Sequence, residues 1–421
     1  MIFRVAKQSW GKCRSVWVNK FSSQATPAQA NEVSPAVGYW LLGMGGLVAG
    51  MVTVGGVTRL TKSGLSMTDW KLQGSLPPMN DEEWQKEFDR YKQFPEWNQR
   101  KSMDIEEFKS IYFWEYGHRM FGRSLGLFFI GPMAYFSIRG MIPRSLYPRL
   151  FGLLGLGGAQ GLIGWWMVKS GLEVDPEQKK EIRVSPYRLA THLGMAFTTY
   201  GLLLWTGLDI LFPISKAKSV AEAIPADILK VAAKTRRFAV INAALVGITA
   251  MSGAFVAGND AGRAYNTFPE MGDTYVPYEI LDMEPLWRNF FENTATVQFD
   301  HRVLALSTYF AICTMYVRAL GAREMWKAMP ALARYAGHAL AGMAGVQVGL
   351  GISTLLMYVP IPLAAAHQAG SLALLTCALG FVHSLRFSRF PSLVPAVVKK
   401  RSRRMPVASF ASIRQNKNIS S

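Results

Sequence analysis

Residues 115–125 read EYGHRMFGRSL, and residues 298–308 read QFDHRVLALST. The two stretches share a His-Arg pair at the same position, led by His118 in the first and by His301 in the second. Each pair stands at the beginning of a long apolar run. The match indicates that the chain contains one design twice, with an ionisable side chain at an equivalent point of each copy.

The stretches that follow match in the same order. GGAQGLIGWWM (157–167) and AGVQVGLGIST (344–354) share a Gln among small residues, which let helices approach closely in lipid. YRLATHLGMAF (187–197) and PLAAAHQAGSL (362–372) share a single His. Weak internal symmetry of this kind is typical of membrane proteins built from repeats.

Half of the 421 residues are hydrophobic and 12 are Trp, which is too apolar for an ordinary soluble domain of this length. The sequence predicts an all-α membrane protein with eight transmembrane helices, arranged as two pseudo-symmetric four-helix bundles. Each helix is predicted from an apolar run that approaches the length of about 20 residues a bilayer requires. These runs are 37–57, 113–138, 150–168, 189–213, 238–258, 302–318, 335–357 and 365–385.

The net charge of +18 follows the predicted membrane topology and does not indicate a nucleic-acid site. Five alternate segments together hold 27 basic and 4 acidic residues: 1–36, 139–149, 214–237, 318–334 and 386–421. The three loops between them together hold 16 basic and 22 acidic residues: 58–112, 169–188 and 259–300. Because basic residues accumulate on the cytoplasmic or matrix side, both termini are predicted there, and the three long loops face the opposite side.

The first 36 residues resemble a mitochondrial presequence. Five basic residues punctuate an apolar, Ser-containing stretch in which the first acidic residue is Glu32. The alternative, a basic cytoplasmic tail of a bacterial protein, remains open on composition alone. The predicted organisation is a targeting leader and matrix tail (1–36), an N-terminal four-helix half (37–213), a matrix linker (214–237), a C-terminal four-helix half (238–385) and a basic matrix tail (386–421).

Four histidines occupy matched positions, His118 and His192 in the first half and His301 and His367 in the second. The second and fourth helices of each half are predicted to run in the same direction, so both rings of a pair reach a similar depth. Imidazole is the usual axial ligand of haem iron, and helix bundles build cofactor sites from facing side chains. Taken singly, any one of these histidines is explained better by an interhelical hydrogen bond than by a ligand role. Four at matched positions predict two bis-histidine haem sites.

The remaining metal-binding residue types indicate no further site. His338 and His383 have no counterpart in the first half and are predicted to be interfacial or packing residues. Cys13, Cys313 and Cys377 indicate neither a disulfide framework nor a zinc site.

Charged neighbours distinguish the two predicted sites. Arg119 and Arg302 each follow a histidine near the outer boundary, where they are predicted either to bind haem propionates or to extend to the lipid headgroups. Glu115 lies one helical turn before His118, whereas the second half has Gln298 at that position. A carboxylate beside one site only favours proton chemistry in the first half. The alternative is an ion pair between Glu115 and Arg119 or Arg123.

The outer loop 58–112 carries aromatic residues at near-helical intervals, which predicts a short helix lying in the interface. This helix is predicted either to cover the first site or to serve as an aromatic belt. The residues concerned are Trp84, Phe88, Tyr91 and Phe94.

Four stretches resemble those of the heme A synthase family, and the resemblance covers about residues 37–390. They are GGVTRLTKSGLSMTDWKLQGSLPP (55–78), EYGHR (115–119), AGNDAGRAYNTFPEMGD (257–273) and AAAHQAGSLAL (364–374). Many bacterial relatives have a cysteine pair in the first outer loop. Its absence from residues 58–112 here indicates the mitochondrial and proteobacterial branch.

The resemblance implies an enzyme that oxidises a ring methyl of heme O to a formyl group, through an alcohol and a hydrated aldehyde, to give heme A for cytochrome c oxidase. It implies that His301 and His367, with Arg302, hold a permanent haem b. It also implies that His118 and His192, with Arg119, hold the substrate haem, and that Glu115 is catalytic. The implied location is the mitochondrial inner membrane, with the haem sites toward the intermembrane space.

The implied partners are the lipid bilayer, a ferredoxin-type electron donor, heme O synthase, cytochrome c oxidase assembly factors and a second copy of the chain, with no nucleic acid. Two other functions remain open from the residues alone. One is a non-enzymatic bis-histidine b-type electron-transfer cytochrome, which would never yield a formyl haem. The other is a haem-handling carrier, although parallel repeats and few intramembrane charges argue against a transporter.

Overall fold

The computed structural model describes residues 33–71, 73–173 and 182–395, so most of the predicted leader and most of the basic tail lie outside the described residues. Eight long helices, here α1 to α8, make up most of the described chain. They are α1 Pro35–Leu60, α2 Ile105–Ile138, α3 Tyr147–Leu172, α4 Pro186–Leu211, α5 Ala226–Gly258, α6 Thr294–Gly321, α7 Ala331–Leu356 and α8 Ile361–Ser384.

Shorter helical segments connect the long ones. The α-helical ones are Asp81–Tyr91, Ile214–Glu222, Asn289–Glu292 and Arg323–Ala328, and the 3-10 turns are Pro95–Gln99, Arg144–Leu146, Ala261–Arg263, Leu286–Arg288 and Arg386–Arg389. The only β pairing within the described ranges is an isolated bridge between Met271 and Thr274. The predicted all-α class is therefore confirmed.

Six of the long helices are long and apolar enough to cross a membrane, namely α1, α3, α5, α6, α7 and α8. Helix α4 joins them if it is counted together with Ile214–Glu222, from which it is bent by 62°. Helix α2 does not meet this criterion. Glu115, Arg119 and Arg123 carry charges into the middle of this helix, so its uncharged part is short for a bilayer.

Helix α2 begins eight residues before the apolar run that predicted it, and two features explain the extension. The Asp104 side chain accepts a hydrogen bond from the Glu107 backbone N–H, which caps the first turn. Phe108 and Tyr112 then pack against Phe88 and Tyr91 of the outer-loop helix. As a result His118 lies about three and a half turns inside α2 instead of in its first turns.

The helices of each half pack in the same order. Helix α1 packs against α2 and α4, and α3 also packs against α2 and α4. In the second half α5 packs against α6 and α8, and α7 packs against the same two helices. Across the halves α1 contacts α8, and α4 contacts α5 and α8. Large apolar side chains such as Leu127 and Phe310 remain 73% and 61% exposed, as lipid-facing positions would be.

Polar contacts join the halves in the middle of the helices. Gln368 of α8 donates a hydrogen bond to the Val52 carbonyl of α1 at 3.1 Å. This approach needs a glycine on α1, because a Cβ at Gly56 would lie 1.8 Å from the Gln368 Oε1. The Tyr200 and Thr376 hydroxyls, on α4 and α8, lie 2.5 Å apart.

Ion pairs join the halves at both ends of the helices. At the end of the helices from which the 58–112 loop extends, Asp260 accepts from Arg59 at 3.0 Å and from Arg183 at 3.2 Å. At the other end Asp209 of α4 pairs with Arg386 and with the His383 Nε2 of α8, the latter at 3.2 Å. Two of the sequence stretches that carry the family resemblance, those around Arg59 and Asp260, therefore meet at the boundary between the halves.

Candidate functional site

Each predicted ligand histidine packs against a glycine of a neighbouring helix. A Cβ at Gly55 of α1 would lie 2.8 Å from the His118 Cε1 of α2. In the second half, a Cβ at Gly253 of α5 would lie 3.1 Å from the His301 Cε1 of α6. No other residue leaves room for an imidazole ring this close to a helix backbone.

The other two histidines repeat this arrangement. A Cβ at Gly164 of α3 would lie 3.1 Å from the His192 Cε1, and one at Gly351 of α7 would lie 2.9 Å from the His367 Cε1. These glycines were not among the residues predicted from the sequence to form the site. A signal was available, because Gly164 and Gly351 occupy the same position in the matched stretches 157–167 and 344–354.

The rings of the second half have the spacing of two axial ligands. The His301 and His367 ring centroids lie 6.4 Å apart, with the ring planes perpendicular. Two metal–nitrogen bonds of about 2 Å, and about 1 Å from each nitrogen to its ring centroid, require a separation of about 6 Å. The separation of the two ring centroids is therefore compatible with one metal ion between the rings.

The donor set suits an iron that brings its own equatorial ligands. Among the described residues, no group of three or more His, Cys, Asp or Glu side chains could hold a bare metal ion. A porphyrin supplies four nitrogen ligands, so two imidazoles complete its coordination.

A matched glutamine holds one ring of each pair. The Gln160 Nε2 of α3 lies 3.3 Å from the His192 Nδ1 and donates to the His192 carbonyl at 2.9 Å. The Gln347 Nε2 of α7 lies 3.2 Å from the His367 Nδ1 and donates to the His367 carbonyl at 2.9 Å. The shared Gln of the two repeats thus acts on a histidine and not only on helix packing.

Glu115 forms the ion pair that the sequence offered as an alternative to catalysis. It is buried within α2, and its Oε1 accepts from the Arg119 Nε at 2.5 Å. Arg119 also donates to the backbone carbonyls of Met67 and Asp69, at 2.8 Å each. The pair therefore fastens the outer loop to α2 one turn from His118.

The second half uses an amide for the same purpose. Arg302 donates to the Gln298 Oε1 at 3.1 Å and to the loop carbonyls of Tyr265 and Glu270. Gln298 also donates to the Ala261 carbonyl at 2.7 Å, which a carboxylate could not do. The Arg302 Nε is buried and has no hydrogen-bond partner in the described parts of the chain.

A charged cavity of about 230 Å³ lies beside Arg119. Tyr116 and Arg119 of α2 line one side, and Glu87 and Arg90 of the outer-loop helix line the other. The aromatic residues Trp84, Phe88 and Tyr91 do form a helix, as predicted, and it ends before Phe94. Its apolar face packs on α2, so the helix lies over the outer part of the first half.

The outer loop also contains a buried carboxyl group. Glu96 is 6% exposed and accepts a hydrogen bond from the Tyr91 hydroxyl at 3.1 Å. Burial raises the pKa of Glu96, and the nearby Arg100 guanidinium opposes this rise only in part.

The two histidines without a repeat counterpart lie away from the four. The His338 Nδ1 is 2.6 Å from the Tyr316 hydroxyl, and its ring packs edge-on against Trp326. His383 is buried between Trp205 and Asp209. Both are engaged in packing and hydrogen bonding, as their sequence positions indicated.

The sequence from residue 38 to residue 379 matches the model of the COX15-CtaA family, described as cytochrome oxidase assembly protein. The chain belongs to the COX15-CtaA family. The resemblance inferred from the sequence motifs is therefore confirmed, and it extends over all eight long helices of the structure.

Curated members of the COX15-CtaA family are similar over most of the chain. Heme A synthase COX15 of Arabidopsis thaliana is 54% identical over 353 residues, which are 83% of this chain and 74% of that protein. Heme A synthase COX15 of Bos taurus is 48% identical over 367 residues, 87% of this chain and 85% of that protein. A heme A synthase–mitochondrial ferredoxin fusion protein of Schizosaccharomyces pombe is 41% identical over 373 residues, 84% of this chain and 60% of the fusion.

Proposed function

We propose that this protein is a heme A synthase, an enzyme that converts heme O to heme A for cytochrome c oxidase. Family membership supports the activity, and the 6.4 Å separation of the His301 and His367 rings is the structural observation that carries it. The substrate and the product are themselves haems. A chain with two matched histidine pairs therefore suits a reaction in which one haem is the substrate and the other transfers electrons.

The second half is proposed to hold a permanent haem b between His301 and His367. The unpartnered, buried Arg302 Nε supports a propionate contact at its outer end. When bound, this haem supplies one-electron transfer. Gly253 and Gly351 lack a Cβ and so leave a notch in the helix surface, against which the His301 and His367 rings pack. Gln347 contacts the His367 ring and so limits its orientation.

The first half is proposed to hold heme O between His118 and His192, with Arg119 at its outer end. Gly55 and Gly164 support this assignment, since each lies against one of the two rings, as Gly253 and Gly351 do in the second half. The ring methyl of heme O would be oxidised through an alcohol and a hydrated aldehyde to the formyl group. The protein contributes position, ring orientation and exclusion of water.

Glu115 is proposed to hold or transfer a proton at its carboxylate during this oxidation. Its burial one turn from His118 supports the proposal, as does the amide at the equivalent Gln298. The structural role of Glu115 needs only an acceptor for Arg119, and Gln298 demonstrates that an amide oxygen suffices for the equivalent arginine.

Pigment analysis tests the proposed activity. The chain is expressed together with a heme O synthase in a host that makes heme O but no heme A, and the extracted haems are separated by chromatography. We expect heme A or its hydroxylated precursor. Two b-type haems with no formyl haem would instead identify an electron-transfer cytochrome, and protein purified gently without haem would identify a carrier.

The variant Glu115→Gln separates catalysis from structure. It keeps an acceptor for Arg119 but removes the ionisable group, so heme O should accumulate while haem content and folding stay unchanged. A loss of activity of about 100-fold or more is expected if the carboxylate transfers protons. The control is Glu106→Gln, the same change at an exposed position of α2. Full activity of Glu115→Gln would leave only the structural role.

The chain is proposed to be a multi-pass protein of the mitochondrial inner membrane with eight transmembrane helices in two pseudo-symmetric four-helix bundles. Six or seven sufficiently apolar helices and the matching packing order of the two halves support this arrangement. Both termini would lie in the matrix and both haem sites toward the intermembrane space. Protease added to intact mitoplasts should cut within 58–112 and spare a C-terminal tag, and the reverse result would invert the topology.

The electron donor is proposed to be a ferredoxin-type protein, supported by the fusion of a heme A synthase with a mitochondrial ferredoxin in Schizosaccharomyces pombe. Heme O synthase, oxidase assembly factors and a second copy of the chain are further proposed partners. Reduced ferredoxin should reduce the purified haem protein within seconds. Failure to do so, with activity supported by another reductant, would exclude this donor.

A further inference from the structure

The charged cavity beside Arg119 lies on a face of α2 that continues into exposed apolar side chains. Tyr116, Arg119 and Arg123 line the cavity, and their spacing of three or four residues places them on one face of the helix. Leu127 and Ile130 continue that face at the same spacing, and they are 73% and 50% exposed. The cavity therefore lies where this face of α2 changes from loop-covered to lipid-exposed.

Two features place the cavity at the depth of the lipid headgroups. Arg123 is the last charged residue of α2, and the uncharged stretch 124–138 that follows is about 22 Å long as a helix. This stretch is the part of α2 suited to the hydrocarbon core. Trp70, which lies between two lining residues of the outer loop, packs on Trp165 of α3 with ring centroids 6.4 Å apart. Tryptophan is enriched at the membrane–water interface, so these rings mark the same depth.

The outer loop bends around Arg123 to form a wall of the cavity. Gly74 has a left-handed backbone conformation, φ 82°, and its N–H donates to the Lys71 carbonyl at 3.1 Å. The Arg123 Nη2 donates to the same carbonyl at 2.5 Å. Leu76, in this wall, is strongly exposed. The rim of the cavity is therefore apolar, while its interior is charged.

The cavity has an excess of positive charge. Arg90 pairs with two of the lining carboxylates, those of Asp69 and Glu87, and the third accepts a hydrogen bond at the start of the outer-loop helix. Lys71 and Lys86 form no ion pair with any residue that the structure describes. The basic lining residues are Lys71, Lys86, Arg90, Arg119 and Arg123, and the acidic ones are Asp69, Glu83 and Glu87.

We propose that this cavity binds the phosphate-bearing headgroup of an anionic phospholipid, whose hydrocarbon chains lie along Leu127 and Ile130. Phosphate oxygens suit ammonium and guanidinium donors, and basic residues at the membrane surface attract anionic lipids. Lys71 and Lys86 are the expected donors, since Arg119 already binds Glu115 and two loop carbonyls. The bound lipid would hold the outer loop against α2. None of the four candidate ligand histidines lines the cavity, so this inference is independent of the proposed function.

Native mass spectrometry of the delipidated, full-length protein tests the inference. The protein is mixed in detergent with dioleoyl phosphatidylglycerol or with dioleoyl phosphatidylcholine, which has the same chains and a headgroup without net charge. We expect phosphatidylglycerol to bind about 10-fold more tightly or better. Equal binding of the two lipids would overturn the proposal.

A pair of substitutions assigns the binding to the cavity. Lys71→Gln combined with Lys86→Gln should weaken phosphatidylglycerol binding by about 10- to 30-fold. The matched control is Lys101→Gln combined with Lys109→Gln, which removes two positive charges outside the cavity on the same side of the membrane and should retain the affinity. Lys86→Gln alone, at an exposed position, is the second variant if the pair fails to fold. Unchanged affinity in the cavity variants, or an equal loss in the control, would overturn the proposal.

Competition separates a phospholipid from other sources of the same chemistry. Inorganic phosphate supplies the headgroup charge alone, and dihexanoyl phosphatidylglycerol supplies the headgroup with short chains. Both should compete with the dioleoyl lipid about 10-fold more weakly or worse, because neither covers the exposed face of α2 at Leu127 and Ile130. Equal competition by phosphate would identify a site for a free anion, and displacement by hemin would identify a site for haem carboxylates. Either result would overturn the assignment to a lipid.

Discussion

Single glycines decide where the histidines lie. Gly55, Gly164, Gly253 and Gly351 sit opposite the four rings, and each leaves the space that a methyl group would fill. A histidine on an apolar helix can turn in several directions, but a ring seated in a backbone notch has few alternatives. These four glycines therefore limit where the candidate ligand rings can lie.

Replacing Gly55 by Ala should displace the His118 ring, because the new methyl carbon would lie 2.8 Å from Cε1. Haem retained at the first site should fall by about 10-fold, with a stability loss of about 1–3 kcal/mol typical of overpacking. Haem stoichiometry after gel filtration measures the effect. Gly46→Ala, on the same helix but facing open space, is the control and should retain haem.

Glu96 should make the outer loop sensitive to pH. Because burial raises its pKa in the folded protein, the folded loop binds a proton more readily than the unfolded chain. Its stability is therefore highest below the ordinary carboxyl pKa and declines as the pH rises through the raised pKa. Limited proteolysis within 58–112 should become faster across that window.

The variant Glu96→Gln should remove this pH dependence, since the amide is neutral and can still accept from Tyr91. Glu82→Gln, an exposed carboxylate of the same loop, should leave it in place. A pH dependence that persists in Glu96→Gln would show that another group is responsible.

At the scale of the helices, α1 serves both halves. Its Gly55 receives His118 of the first half, and the next residue, Gly56, receives Gln368 of α8. Gln368 directly follows His367, so Gly55 and Gly56 of α1 lie against His118 of the first half and against the residue after His367 of the second half. Helix α1 therefore couples the positions of the two candidate haem sites.

The variant Gly56→Ala should displace the Gln368 side chain from its contact with α1, because the new methyl carbon would fall 1.8 Å from the Gln368 Oε1. A loss of about 1–3 kcal/mol is expected from the forced rearrangement, and electron transfer between the two haems should slow. Thermal unfolding and stopped-flow reduction measure the two effects. Adding Gln368→Ala should restore stability, whereas Gly43→Ala, which faces open space, should be neutral.

On the scale of the whole molecule, the two halves are joined by polar contacts at the ends of the helices as well as in the middle. Asp260 binds Arg59 and Arg183 at the outer end, and Asp209 binds Arg386 and His383 at the other. Lipid offers little apolar driving force between helices, so such contacts contribute to the fixed arrangement of the halves.

Asp260→Asn should weaken the outer junction while keeping the left-handed backbone conformation, φ 52°, that asparagine tolerates. Loss of the two ion pairs should cost on the order of 1 kcal/mol and less at high salt. Thermal unfolding in detergent at two salt concentrations measures it. Asp89→Asn, which removes an exposed pair with Lys92, should have no measurable effect.

The linear sequence was sufficient for the helical class and the family, and it singled out the matched repeats with their four histidines, because apolar periodicity and matched motifs are local properties. Helix ends were less predictable, since the capping by Asp104 and the aromatic contacts of Phe108 extend α2 beyond its apolar run.

Only the tertiary structure decided which side chains act on those histidines. The glycine notches involve residues on neighbouring helices. The same is true of the glutamine contacts, although the matched Gln itself was visible in the repeats. These contacts depend on how neighbouring helices are rotated and how closely they approach. Helix packing is determined by the whole molecule, so no single stretch of the chain predicts it.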